Sequence, residues 1–313
     1  MGESDNDEPV EPIENDETRQ NSEIIKPPKK KQKQDMKSMP MIGGIPKNFQ
    51  CKTPKCKKLC TMISSINDTN AEGIKFEFTE IGMFLYSNAM SHTGVVVKAF
   101  WHSSFFEDYK CEQCFSIWVS VKDILDVTKK IKDIDMIIIS TFVEKSFEGL
   151  RFSGNRKQES KNETPFNINV AHITQECDDL DFSTVQWVLD INTPSSDFSK
   201  SIQFIKGPEE SYVQIKCDQK LICFSSVGEN GAIKTETFQK AHVAKEICGQ
   251  TFENIFSHKS LRAVTTAHEL NQMLHIVHPL VSPIVLFAYI LDESHQPNSH
   301  FSLYVPQKIV EDC

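Results

Sequence analysis

No stretch of this 313-residue chain is apolar for long enough to cross a bilayer. The acidic opening "MGESDNDEPVEPIENDETRQ" also lacks the apolar core of an export signal. Together these absences predict an intracellular chain with no membrane partner. Glycine is scarce, 12 residues in all, and is nowhere spaced as in Walker or dinucleotide-binding loops, which argues against nucleotide use. The ten cysteines form no regular framework, as expected of reduced thiols. "NDT" (Asn67 to Thr69) and "NET" (Asn162 to Thr164) match the glycosylation pattern, which an intracellular protein would not use.

Metal and catalytic constellations are equally thin. Cys111 and Cys114 form "CEQC", but a zinc site wants a second close pair, and Cys51, Cys56 and Cys60 are spaced more loosely. The reading is of structural thiols, with Cys56 and Cys60 on the inner side of a helix. His258, His268, His275 and His278 crowd one region without carboxylates or cysteines at ligand spacing. No cysteine stands in a local hydrolase signature with a following helix. No catalytic residue, metal or cofactor is therefore expected, and the chain reads as a non-enzyme. Positive charge is short too. The net charge of −9 argues against nucleic-acid binding over the whole surface but leaves room for a local basic face.

What is present is a repeated pattern. Residues 1 to about 48 have little to bury and read as a disordered tail, acidic first and then basic through "PPKKKQK". That cluster reads either as a nuclear-localisation or nucleic-acid-contacting segment or as a solvated spacer. From Cys51 the chain becomes globular. "KCKKLCTMISSIND" has helical spacing and leads into the strands of "IKFEFTEIGMFLYSNAMSHTGVVVKAFW". "SSDFSKSIQFIKGPEE" and "YVQIKCDQKLICFSSVGENGAIKTETF" repeat that order. Second helices follow in "VSVKDILDVTKKIKD" and "FENIFSHKSLRAVTTAHEL", and further strands close each half. A duplicated α+β domain is the economical reading. The acidic "TQECDDLDFST" connects the halves.

Helical wheels separate the faces. Leu59, Ile63, Ile66, Cys56 and Met62 group together, with Lys57, Lys58, Thr61 and Ser65 opposite. Val121, Ile124, Leu125, Thr128 and Ile131 oppose Lys122, Lys129 and Lys130, which Asp123 and Asp126 dilute. Phe198, Ile202 and Ile205 pack inward, with Lys200 opposite and Lys206 flanking; Phe256, Ser260, Leu261 and Val264 oppose Lys259, Arg262 and Thr266. Any single basic helix face is ordinary. Its recurrence on four helices of an acidic protein predicts a shared surface that holds phosphates without reading bases.

In order and with compatible spacing, the segments from about Lys55 onward resemble sliding clamps of the proliferating-cell-nuclear-antigen type. "FTEIGMFLYSNAMSHTGVVVKAFWHSSFFEDYKC" is similar to that family's first strand pair. "VSVKDILDVTKKIKDIDMIII", "FSSVGENGAIKTETF" and "PIVLFAYILDESHQPNSHFSLYVPQKI" resemble its later segments. The substitutions are those of a divergent clamp, such as one from a large DNA virus.

The resemblance implies an α+β chain of two similar clamp domains, residues 49–172 and 185–313, joined by a connector at 173–184. Helices would line a central hole, with antiparallel sheets outside. It implies a homotrimeric ring around double-stranded DNA that tethers DNA polymerase and other proteins carrying clamp-binding peptides, in the nucleus or at a viral replication site. Lys57, Lys58, Lys122, Lys129, Lys130, Lys200, Lys206, Lys259 and Arg262 would face DNA. His92, Val95, Leu180, Pro283, Tyr304 and Pro306 would line the partner groove. Phe166 and Ile168 of "TPFNINVA" would meet Tyr212 and Gln214 of a neighbour's "SYVQIKC", although Phe166 also fits the core of its own sheet. The connector is more acidic than the family's, and Gln307 stands where the family has proline, with Pro306 one step earlier. A clamp-like transcription or checkpoint factor, monomeric or in a hetero-oligomer, is the alternative.

Overall fold

Alternation of buried and exposed residues at period two drives most of the chain into strands. Val285, Phe287, Tyr289 and Leu291 turn inward while Ile284, Leu286, Ala288 and Ile290 stay half-exposed. The computed structural model describes residues 45–132, 134–144, 147–157, 163–173, 180–205, 212–218, 221–227, 233–240, 242–245, 252–280, 282–292 and 298–308. These residues belong to one compact unit, Ile42–Cys313. The architecture is mixed α+β, mostly antiparallel sheet with few helices.

In chain order the first eleven elements are β1 (Gln50–Thr53), α1 (Cys56–Asp68), β2 (Gly73–Thr79), β3 (Gly82–Asn88), β4 (Val96–His102), β5 (Asp108–Lys110), β6 (Phe115–Ser120), α2 (Val121–Ile131), β7 (Ile137–Glu144), β8 (Phe147–Lys157) and β9 (Glu163–Ala171). The next eleven are β10 (Trp187–Pro194), α3 (Ser195–Phe204), β11 (Tyr212–Asp218), β12 (Leu221–Val227), β13 (Ile233–Lys240), β14 (His242–Lys245), β15 (Phe252–Ser257), α4 (His258–Thr266), β16 (Met273–Pro279), β17 (Ile284–Asp292) and β18 (Ser299–Pro306). Helices and strands fall in the same order in both series.

Pairing repeats as well. The sheet β5-β1-β7-β8-β9 of the first series matches β14-β10-β16-β17-β18 of the second, and β4-β3-β2-β6 matches β13-β12-β11-β15. Two of these four-to-five-stranded blocks are fused. β18 pairs with β4, from His300↔Phe100 to Tyr304↔Val96, giving the nine-stranded sheet β14-β10-β16-β17-β18-β4-β3-β2-β6. The corresponding strands β9 and β13 each have a single hydrogen-bonded neighbour among the described residues, β8 and β12 respectively.

Helices cover the inward side of this sheet. α1 packs between α2 and α4: Cys60 Sγ lies 3.7 Å from the Thr128 carbonyl, and Ser65 Oγ donates to the Ala263 carbonyl at 2.7 Å. Tyr289 donates its hydroxyl to the Val264 carbonyl of α4 at 2.7 Å, and Phe287 lies 5.9 Å from Phe198 of α3. Side chains of even-numbered residues on β18, Tyr304 among them, therefore point to the opposite, outer side, as does Lys98 on β4.

Four expectations need correction. Ser65 is fully buried, not solvent-facing, because its short hydroxyl bridges two helices. Phe256 lies on β15, not on the fourth helix: Phe252, Asn254 and Phe256 alternate inward, and α4 starts only where Ser257 caps the Ser260 amide at 2.9 Å. Order also begins before residue 48. Ile45 packs against the core, Phe49 is buried beside Phe78 at 4.5 Å, and the Pro46 carbonyl accepts the Thr141 hydroxyl at 2.5 Å. Finally β11, carrying Tyr212 and Gln214, has no free edge. It bonds to β12 on one side and β15 on the other, so "SYVQIKC" cannot receive a further strand. The basic "PPKKKQK" cluster, Lys206 and connector residues 174–179 lie outside the described residues.

Candidate nucleic-acid and partner surfaces

Among the described residues the four α-helices carry eight Lys or Arg side chains and four Asp, an excess of cations in a chain whose net charge is −9. Lys57, Lys122, Lys129, Lys130, Lys200, Lys259 and Arg262 are all exposed, since the apolar positions of each helix are spent on the core.

Four of these cations are held by acids. Lys57 lies 3.1 Å from Glu269, Lys129 is 2.7 Å from Asp126, Lys200 is 3.7 Å from Asp197, and Arg262 is 3.2 Å from Asp68. Lys129 holds the Asp126 carboxyl below the usual carboxylate range. Lys122, Lys130 and Lys259 make no ion pair within 4.0 Å among the described residues. Lys58 departs from the expected row. It is half-buried with its ammonium 5.8 Å from the Phe105 ring centroid, and desolvation, then repulsion by Lys55, lowers its pKa. What remains on the exposed helix faces is a modest surplus of positive charge.

The second surface lies on the outer side of the nine-stranded sheet. Connector residues Leu180–Gln186 run across it from the first series of strands to the second. The Leu180 carbonyl accepts Lys98 Nζ at 2.6 Å, and the Leu180 amide donates to the Tyr86 hydroxyl at 3.2 Å. Phe182 then stacks on Tyr304, ring centroids 4.0 Å apart and planes 9° apart, while Lys98 Nζ also sits 5.6 Å from the Phe182 centroid. Asp181 accepts the Ser183 amide and hydroxyl at 2.8 and 2.9 Å, and these bonds hold its carboxyl below the usual range. A turn, Val185 N–H to the Phe182 carbonyl at 3.1 Å, leads to Gln186, whose carbonyl accepts the Leu280 amide at 2.9 Å. Trp187 ends the crossing with its ring 6.3 Å from Tyr304, whose phenol pKa is raised by burial.

The structure brings Leu180 and Tyr304 into this one arrangement. Pro283 and Pro306 sit together at the end of the β17–β18 ladder, where the Pro283 carbonyl accepts the Gln307 amide at 2.7 Å and Pro306 faces Ile284. Gly94 adjoins them: at φ +72° it takes a backbone conformation that suits glycine, and a Cβ there would lie 2.8 Å from Pro306 Cγ. Val95 does not line a groove. It is fully buried, because the strand parity that exposes Lys98 turns Val95 into the core. His92 sits in the turn before it, its Nε2 3.9 Å from Glu72 Oε1.

Sequence reasoning missed Tyr86, Lys98, Phe182 and Trp187. A usable signal for two of them was the pair of aromatics flanking an otherwise polar connector in "LDFSTVQW". At the candidate subunit edge, Phe166 and Ile168 lie on β9 and pack partly against the core of their own sheet. Tyr212 instead holds Lys308, whose Nζ lies 3.6 Å from the ring centroid, and Gln214 donates to Glu253 at 2.8 Å.

Cys111 is buried and its pKa is pushed up to about 11, first by desolvation and then by Cys114, which is exposed. Among the described residues no group of His, Cys, Asp and Glu is placed to hold a metal ion, and no helix is long and apolar enough to cross a membrane. No protein-family model matches the chain, and no curated protein matches it at a significant level.

Proposed function

We propose that the chain is a DNA sliding clamp: a two-domain subunit of a ring, of homotrimeric type, that encircles duplex DNA and tethers a polymerase and other enzymes to it. One observation carries this reading. β18 and β4 pair within the chain, whereas their counterparts β9 and β13 each have a neighbour on one side alone among the described residues. Laying β13 of a second copy against β9 of the first would reproduce the internal seam and continue the sheet from copy to copy. That contact is heterologous, so successive copies close into a ring or grow as a filament, and it covers edges that would otherwise invite aggregation.

The helices, all on one side of the sheet, would then face the opening. Their surplus of cations suits weak phosphate contacts that let the ring slide, while enclosure supplies processivity. The outer sheet surface with the connector would receive partner peptides through apolar and aromatic anchors.

The test is molar mass by light scattering across a concentration series, coupled to retention on primed circular DNA before and after linearisation. The expected result is a concentration-stable oligomer held on the circle and released when it is cut. A monomer that binds circular and linear DNA equally would overturn the ring. That outcome would favour a clamp-like transcription or checkpoint factor acting as a monomer or in a hetero-oligomer. The neutralised pairs Lys57–Glu269, Lys129–Asp126, Lys200–Asp197 and Arg262–Asp68 already lean toward it, because they weaken the pull on DNA.

A further inference from the structure

The connector does more than frame an open groove. The Phe182 ring lies flat on Tyr304 at 4.0 Å, the geometry an incoming aromatic side chain would itself adopt there. The ring is not resting there loosely. Before it, Leu180 is fixed at both backbone atoms, by Lys98 at 2.6 Å and by Tyr86 at 3.2 Å. After it, the turn to Val185 and the Gln186–Leu280 bond hold the far side. Lys98 lies 5.4 Å from the Tyr86 centroid and 5.6 Å from that of Phe182, so one ammonium spans both anchors.

We propose that Phe182 is an intramolecular plug: it occupies the face of Tyr304 that a partner's aromatic anchor takes, and partner peptides bind by displacing it. The inference rests on the clamp reading only in taking the outer sheet surface as the partner site. Its physical content is a competition. A partner gains one aromatic stack and loses another, so the net gain at Tyr304 is small and selectivity shifts to whatever else the peptide contacts.

The probe is a short synthetic peptide carrying two adjacent phenylalanines, titrated by fluorescence anisotropy against the full chain. Removing the plug by Phe182→Ala is expected to tighten binding by up to about tenfold, the range one aromatic stack confers. Phe182→Leu, which keeps the segment apolar but cannot stack, is expected to tighten it in the same direction and serves if the alanine variant folds poorly. Tyr304→Ala is expected to abolish binding in either background.

Unchanged or weaker binding by both Phe182 variants would overturn the plug and make Phe182 a wall of the site. Failure of wild type and of both Phe182 variants to bind would overturn it too, even with DNA retention intact. Tighter binding by the variants in a chain that proves monomeric on DNA would leave the plug standing and remove the ring. The two readings therefore fail separately.

Discussion

The Asp68 carboxylate at the end of α1 takes the Arg262 guanidinium of α4 at 3.2 Å and the Thr266 hydroxyl at 2.5 Å, with only 13% of its own side chain exposed. Arg262 is thus a tie between two helices. Asp68→Asn keeps the shape and removes the charge. It is expected to lower unfolding stability by about 1–2 kcal/mol, as for a charge-assisted hydrogen bond in a shielded site, and to strengthen DNA binding by freeing Arg262. Denaturant unfolding and DNA titration of the same variant check the two signs together; lost stability without gained affinity would remove Arg262 from the DNA-facing set.

The lysines without an ion pair among the described residues should carry the salt dependence. Replacing Lys122, Lys130 and Lys259 with alanine is expected to reduce the slope of log K against log salt by about 3, near one unit per lost phosphate contact. Removing Lys129 together with its partner Asp126 deletes no net charge and should leave the slope nearly unchanged. Equal effects from the two variants would contradict the division between these lysines and the ion-paired ones.

The connector's anchoring is measurable without any partner. Lys98→Met deletes the donor to the Leu180 carbonyl and is expected to speed amide exchange at Leu180 and Val185 by about fivefold to tenfold, the effect of losing roughly 1 kcal/mol of local protection. Exchange unchanged at both amides would mean that the remaining contacts, Leu180 with Tyr86, Phe182 with Tyr304 and Leu280 with Gln186, hold the segment without Lys98.

Thiol chemistry follows burial. Cys56 and Cys111 have pKa values pushed up to about 11, chiefly by desolvation, and burial also raises that of Cys51. A raised pKa leaves less thiolate at pH 8, so these three should alkylate slowly in the folded protein, while exposed Cys114 should label first among the described cysteines. Peptide mapping after brief iodoacetamide treatment reads the order; early labelling of Cys51 would show that β1 opens.

Phe287 is fully buried on β17, between Phe198 of α3 and Phe256 of β15 at 5.9 and 5.6 Å. Truncation to alanine leaves a cavity that three packed elements must share and is expected to cost about 3–5 kcal/mol. Chemical denaturation of that variant measures the cost, and a loss below 1 kcal/mol would show that the site collapses freely.

Periodicity carried most of the elements. α1 and α2 lie where Leu59, Ile63 and Ile66, and Val121, Ile124 and Ile131, recur at helical spacing, and the alternation in "PIVLFAYIL" gives β17. It misled at "FENIFS", where a strand runs straight into a helix and Phe256 satisfies either pattern; only the Ser257 cap marks the change. Which edge of a sheet stays free was illegible for a different reason. The places of β11 as an inner strand and of β13 as an edge strand among the described residues follow from long-range pairing. The outer surface was read in part. Tyr304 and Leu180 came through resemblance, but Phe182 and Lys98 meet only because the connector crosses strands that lie far away along the chain.

The β18–β4 ladder has a mechanical side. Nine strands bonded edge to edge make a continuous beam through the middle of the molecule, braced across its join by the Lys98–Leu180 and Phe182–Tyr304 contacts. Flexing there would break a whole row of backbone hydrogen bonds at once. A load applied across the join is therefore transmitted along the sheet rather than absorbed at the β18–β4 seam.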